Sequence, residues 1–167
     1  MKTEILAYKP AFKSFLLYFA LMFGLFSVLT VGFYLLLEND KAFTEYLSSF
    51  LYFYFFIPVF NAAAFAFSTR KHDFIISEIN DTAHVANWAV ELLQQKGMRI
   101  KSAAGNSTVL ESGKKIFRAF DNWFGAELIT ISATENEVIA TGNFRYIDIL
   151  DTKLKFGKVD FKNQSSR

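Results

Sequence analysis

The sequence predicts a membrane α-helical hairpin, two transmembrane helices, followed by a small α+β cytoplasmic domain with an antiparallel sheet. Three observations predict it. Two long apolar runs lie between Phe12 and Phe67, broken once by Leu37-Glu38-Asn39-Asp40-Lys41. Behind them the chain turns polar, with helical spacings of apolar residues interleaved with short β-like runs. Basic residues flank the outer ends of the hairpin and are scarce in its loop. The expected division is a basic lead-in over 1–13, the hairpin over 14–67, a juxtamembrane connector over 68–79, the α+β domain over 80–162 and a disordered tail over 163–167.

The first run carries no charge from Ser14 to Leu37, and the second none from Tyr46 to Phe67. A helix rising about 1.5 Å per residue needs roughly 20 apolar residues to cross about 30 Å of hydrocarbon. Both runs meet that length, and neither alternates as a barrel strand would. The first run is too long for a cleaved signal peptide and ends in Phe33-Tyr34-Leu35-Leu36-Leu37 instead of a small-residue cleavage site, so it reads as a retained anchor. Lys2, Lys9 and Lys13 precede it and Arg70 and Lys71 follow the second run, whereas the loop holds Lys41 among Glu38, Asp40 and Glu45. Basic residues collect on the cytoplasmic side, so both termini are expected there, in a bacterial inner membrane. The short loop makes the two helices antiparallel neighbours.

Within the hairpin, Ala20 and Gly24 form a small-xxx-small pair, with Ser27 and Gly32 further along. Such residues let helix backbones approach where no hydrophobic effect can drive association. Pro58 lacks a backbone donor and is expected to kink the second helix. Asn61 follows, either bonded to a neighbouring helix or, with Pro58, shaping a pore or a partner-binding notch. No ionisable residue falls in the middle of either run, which argues against a proton relay or an ion-coupled transporter.

The soluble part begins with a helix near Asp81, with Asn80 or Asp81 as its N-cap, an apolar face of Val85, Trp88, Ala89, Leu92 and Leu93, and a stop at Gly97. Met98–Ala103 and Ser107–Glu111 read as strands turning at Gly105-Asn106. From Lys114 to Phe124, Ile116, Phe117, Phe120, Trp123 and Phe124 recur at helical spacing. Leu128–Ala133 and Val138–Thr141 bracket Thr134-Glu-Asn-Glu137 as a hairpin. Phe144–Phe156 has Tyr146, Ile147, Leu150 and Leu154 at helical spacing, with a strand over Phe144–Ile149 as the alternative. The order suggests an α+β domain with a small antiparallel sheet. In architecture it is similar to bacterial membrane hairpins followed by small β-containing domains, some with pleckstrin-homology-like folds; no motif carries the likeness further.

Chemistry is sparse. The chain has no cysteine, which excludes disulfides, thiol catalysis, iron–sulfur clusters and Cys-type zinc sites. Its net charge of +2 and the lack of a basic stripe with interleaved aromatics argue against nucleic acid. His72 and His84 stand without further ligands at metal-binding spacing. Glu111-Ser-Gly-Lys-Lys115 fails the phosphate-loop pattern, since Gly105 is too far from Gly113 and Lys115 replaces the hydroxyl residue. The glycosylation sequons at Asn80, Asn106 and Asn163 lie on the expected cytoplasmic side. No cofactor, metal or catalytic set is expected.

The expected role is therefore a non-enzymatic integral membrane protein, an accessory or scaffold subunit docking onto another membrane protein or onto its own copies. The alternatives are a small oligomeric pore, with Ala20, Gly24, Gly32, Pro58 and Asn61 at its helix contacts, and a lipid- or ligand-sensing module. For the last, Lys114, Lys115 and Arg118 flank the apolar Phe117, Phe120, Trp123 and Phe124, a pattern suited to a headgroup region or a partner surface. Against this, Phe117, Phe120 and Phe124 are expected to fill the core beneath the sheet, because a domain this small needs those side chains.

Overall fold

The computed structural model describes residues 1–36, 42–115, 118 and 127–157. In chain order the elements are β1 (Lys2–Ala7), α1 (Phe12–Leu36), α2 (Phe43–Ser68), β2 (Lys71–Ser77), α3 (Thr82–Gln95), β3 (Met98–Ala104), β4 (Ser107–Ser112), β5 (Ile129–Ala133), β6 (Glu137–Asn143) and α4 (Phe144–Phe156). They divide into a helical unit, Pro10–Thr69, and a sheet unit made of Met1–Lys9 and the chain from Arg70 onward.

The sheet has six antiparallel strands in the order β1-β2-β6-β5-β4-β3. β1 pairs with β2, Ala7 opposite His72 and Lys2 opposite Ser77, so the whole helical hairpin is an insertion between two neighbouring strands. This changes the expected division of the chain. Residues 1–13 are not merely a lead-in, nor 68–79 merely a connector, because each contributes a strand. Lys71–Ser77 alternates as a strand should, with His72, Phe74 and Ile76 buried. Its partner lies about seventy residues upstream, across the apolar runs, where no turn signal can announce the pairing.

The core lies between the sheet and the helices α3 and α4. Phe74 and Ile76 of β2, Val138 and Ala140 of β6, Ile129 and Ile131 of β5 and Leu110 of β4 point to that face. Val85, Ala89, Leu92 and Leu93 of α3 meet them, as do Tyr146, Ile147, Leu150 and Leu154 of α4. Each fully buried Leu or Ile contributes about 1.5–3 kcal/mol by leaving water. Asp81 caps α3, its carboxylate accepting from the His84 backbone N–H at 2.9 Å, and Gly97 follows the helix with φ +90°. Asn143 caps α4 by accepting from the Arg145 N–H at 3.0 Å. That cap and the buried stripe resolve Phe144–Phe156 as helix, against the strand alternative. The expected strands β3 to β6 are all present, while the predicted helix over Lys114–Phe124 falls outside the described residues except at Lys114, Lys115 and Arg118. The expected tail at 163–167 also lies outside them.

In the helical unit α1 and α2 pack as an antiparallel pair. Aromatic contacts run along the seam: Tyr18 stacks on Phe65 at 5.7 Å, Phe23 meets Tyr54 edge-on at 5.0 Å, and Tyr34 meets Phe43 at 5.1 Å. On α2 the narrow stripe Pro58, Ala62 and Ala66 is buried. Small side chains at this spacing admit the bulky rings of α1.

Candidate functional site

The outer surface of the helical unit is apolar along most of its length. Leu16, Leu21, Leu25, Val28 and Phe33 of α1 and Tyr52, Phe53, Phe56, Phe60 and Phe67 of α2 are all exposed. Both helices are long and apolar enough to cross a membrane. Ala20 and Gly24 lie on the exposed side of α1, and a Cβ added at Gly24 or Gly32 would meet nothing within 4 Å. The close approach within the hairpin is therefore made by Ala62 and Ala66, not by the small pair on α1. Pro58 is buried against α1, and α2 continues through it. Asn61 is exposed, and its amide donates at 2.8 Å to the Ile57 carbonyl of its own helix, not to a neighbouring one. The polar link inside the seam is Ser27 with the Tyr54 hydroxyl, accompanied by Ser27 Oγ donating to the Phe23 carbonyl at 2.8 Å. Sequence reading noted Ser27 as a small residue but missed Tyr54, one aromatic among many.

The register of the sheet sorts the charges of the other unit by end. The chain leaves β1 at Ala7 and re-enters at Lys71, so that end of the sheet is the junction with the hairpin. Through the pairings of β2 with β6, β6 with β5, β5 with β4 and β4 with β3, the same end holds Asn143, Ile129, Ser112 and Met98. Basic residues collect in its connections. They are Lys9, Arg70 and Lys71 at the two crossings, Lys96 and Arg99 around the α3–β3 turn, Lys114, Lys115 and Arg118 after β4, and Arg145 in the first turn of α4. The opposite end carries Glu78, Asp81, Glu135 and Glu137, with Lys2 and the amino terminus both held by Glu78. The unit is electrically polar along its strands.

One carboxylate is enclosed by the basic end. Glu111 is 7% exposed and receives two hydrogen bonds from Arg99, Nε at 2.7 Å and an Nη, while Lys101 Nζ stands 3.7 Å from its other oxygen. The Arg99 hydrogen bonds, aided by the charges of Arg99, Lys101 and Arg118, hold the Glu111 carboxyl below its ordinary range. Arg118 Nε is itself buried with no hydrogen-bond partner among the described residues. Glu127, also near this end, accepts from the Tyr146 hydroxyl. Backbone contact closes the same corner, Gly113 N–H donating to the Gly97 carbonyl at 2.9 Å.

Elsewhere the polar groups serve the fold. Asp73 accepts from the Tyr8 and Thr141 hydroxyls, each at 2.6 Å, linking β1, β2 and β6. His72 is buried beside Phe144, ring centroids 5.0 Å apart, and burial followed by the Arg70 charge lowers its pKa. His84 lies in the first turn of α3, at the opposite end of the sheet from His72. No group of three or more His, Cys, Asp or Glu side chains stands together as a metal site among the described residues. Comparison with known proteins returns no matching family model, no matching curated protein and no matching solved structure. Of the predicted surface residues, Lys114, Lys115 and Arg118 join the basic end, while Phe117, Phe120, Trp123 and Phe124 lie outside the described residues.

Proposed function

We propose that the chain is a two-pass integral membrane protein of non-enzymatic role, an accessory or scaffold subunit. Its hairpin anchors a cytoplasmic α+β unit that docks onto a membrane partner or onto further copies of itself. The observation that carries this reading is the hairpin surface: two paired helices of 25 and 26 residues whose large apolar side chains point outward. Exposed apolar patches beyond a few hundred Å² are rare on soluble monomers and call for lipid or protein cover. A core helix of a soluble protein would be enclosed instead.

The β1–β2 pairing supports a single-sided arrangement. A hairpin inserted between adjacent strands returns the chain to the side it left, so the amino terminus and the α+β unit share one face of the membrane. The basic residues at the crossings favour the cytoplasmic face. The outward Ala20-xxx-Gly24 pair leaves α1 open to close approach by another helix, which fits assembly.

The absence of cysteine makes a direct test simple. Single cysteines replacing Lys2, Ala42 and Glu135 are introduced into the full chain in native membranes and reacted with an impermeant thiol reagent. Lys2→Cys and Glu135→Cys are expected to react only from the cytoplasmic side, and Ala42→Cys only from the other. Reaction of all three from one side, or release of the protein by alkaline carbonate, would end the two-pass reading. Purification in mild detergent then separates a partner at fixed ratio from a homo-oligomer, and conductance across a planar bilayer would favour a pore over a scaffold.

A further inference from the structure

We infer that the junction end of the sheet unit is a docking surface for the headgroups of anionic phospholipids. The inference rests on the membrane reading above and names what the soluble unit meets there. Its first support is sign. Basic side chains from five separate connections converge on the end where the chain departs into the hairpin, where they outnumber Asp73, Glu111 and Glu127, while Glu78, Asp81, Glu135 and Glu137 lie at the other end. Sequence-distant residues such as Lys9, Lys96, Lys115 and Arg145 reach one end only through the strand register. A random surface charge distribution has no reason to follow the strand axis in this way.

The second support is composition. Exposed aromatic residues stand among these cations, Tyr8 at 52% and Phe144 at 47% exposure, and aromatic rings beside Lys and Arg suit the headgroup region of a bilayer. The third is incomplete neutralisation. Glu111 is shared by Arg99 and Lys101 and feels Arg118, so one carboxylate faces three cations, of which the Arg99 and Lys101 side chains are 53% and 41% exposed. A lipid phosphate adds anionic charge at those exposed groups. Charge complementarity and continuity with the hairpin select a lipid surface over a soluble acidic partner, which would have no reason to favour the junction end.

The test uses the full chain in nanodiscs of phosphatidylcholine alone and of phosphatidylcholine with phosphatidylglycerol, followed by amide hydrogen exchange. The expected result is roughly tenfold slower exchange over Lys96–Arg99 and Ser112–Lys115 in the anionic discs, with Glu78–Asp81 and Thr134–Glu137 unchanged. The protection should vanish in high salt and in the triple variant Lys96→Glu, Lys115→Glu, Arg145→Glu. That variant alters only exposed positions, and its unchanged exchange in neutral discs confirms folding. Equal exchange in both disc types, from protein that resists carbonate extraction, overturns headgroup docking and leaves the membrane reading intact. Equal protection in neutral and anionic discs also overturns it, pointing to a contact that does not depend on lipid charge. Protein that fails to enter discs of either kind overturns the membrane reading and this inference with it.

Discussion

Two ionisable residues are placed so that their titration reports on folding. His72 is held neutral by burial and by Arg70, below its ordinary pKa of 6.5. The unfolded chain takes up a proton that the folded chain resists, so stability falls as pH drops through about 6.5. His72→Gln is expected to flatten that part of the profile, read by denaturant unfolding at several pH values. Trp88 packs against the core of the sheet unit, so its emission follows that unit. Glu111 behaves in the opposite charge sense. Its carboxyl sits below the ordinary 4.5, so its contribution is present above that value and is lost as pH falls beneath it. Glu111→Gln should therefore remove acid sensitivity below pH 4.5 while also lowering stability at neutral pH; an unchanged acid limb would show that other carboxylates set it. Asp81→Ala deletes the α3 cap and is expected to cost about 1 kcal/mol in the same assay.

At the scale of elements, close backbone approach decides which substitutions matter. A Cβ at Gly142 of β6 would meet Ile129 Cγ1 at 2.7 Å, and one at Gly113 would meet the Gly97 carbonyl at 2.5 Å. Gly142→Ala is expected to destabilise the sheet unit by about 1–3 kcal/mol, since backbone and a buried β5 side chain must both shift. The hairpin offers a matched contrast. Ala62→Phe puts a ring into a fully buried position of the α1–α2 seam, whereas Gly24→Phe points into open space. Ala62→Phe should break the intramolecular pair, seen as loss of crosslinking between cysteines placed on α1 and α2. Gly24→Phe should preserve that crosslink and reduce only association between copies, if α1 is the assembly face. Loss of both signals in Gly24→Phe would mean that the exposed face matters for folding as well.

At the scale of the molecule, β1 binds the two ends of the helical insertion into one sheet. Deleting Met1–Ala7 exposes β2 as an edge and removes the Tyr8–Asp73 support by displacing its strand. The truncated protein is expected to insert normally but to show faster hydrogen exchange across β2 and β6, with β3 and β4 unaffected; uniform exchange relative to the full chain would show that β1 is dispensable.

Much of this was legible in the chain itself. The length and apolarity of the two runs determine two long helices, because period and composition over more than twenty residues leave no other regular structure. The spacing of Val85, Ala89, Leu92 and Leu93, the Asp81 cap and the Gly97 stop likewise determine α3, since helix signals are local. Strands β3 and β4 follow from the Gly105-Asn106 turn between them, and β5 and β6 from alternating or apolar runs on either side of Thr134–Glu137. The tertiary structure alone decided the rest. Pairing of β1 with β2 joins segments separated by the whole hairpin, and β pairing leaves no mark in either strand of which partner it will take. The same non-local register gathers Lys9, Lys96, Lys115 and Arg145 at one end, a charge asymmetry that is invisible along a chain whose net charge is +2. Helix facing was decided in the same way: Ala20 and Gly24 have the spacing of a packing motif, but the rotation of α1 set by its aromatic seam turns them outward.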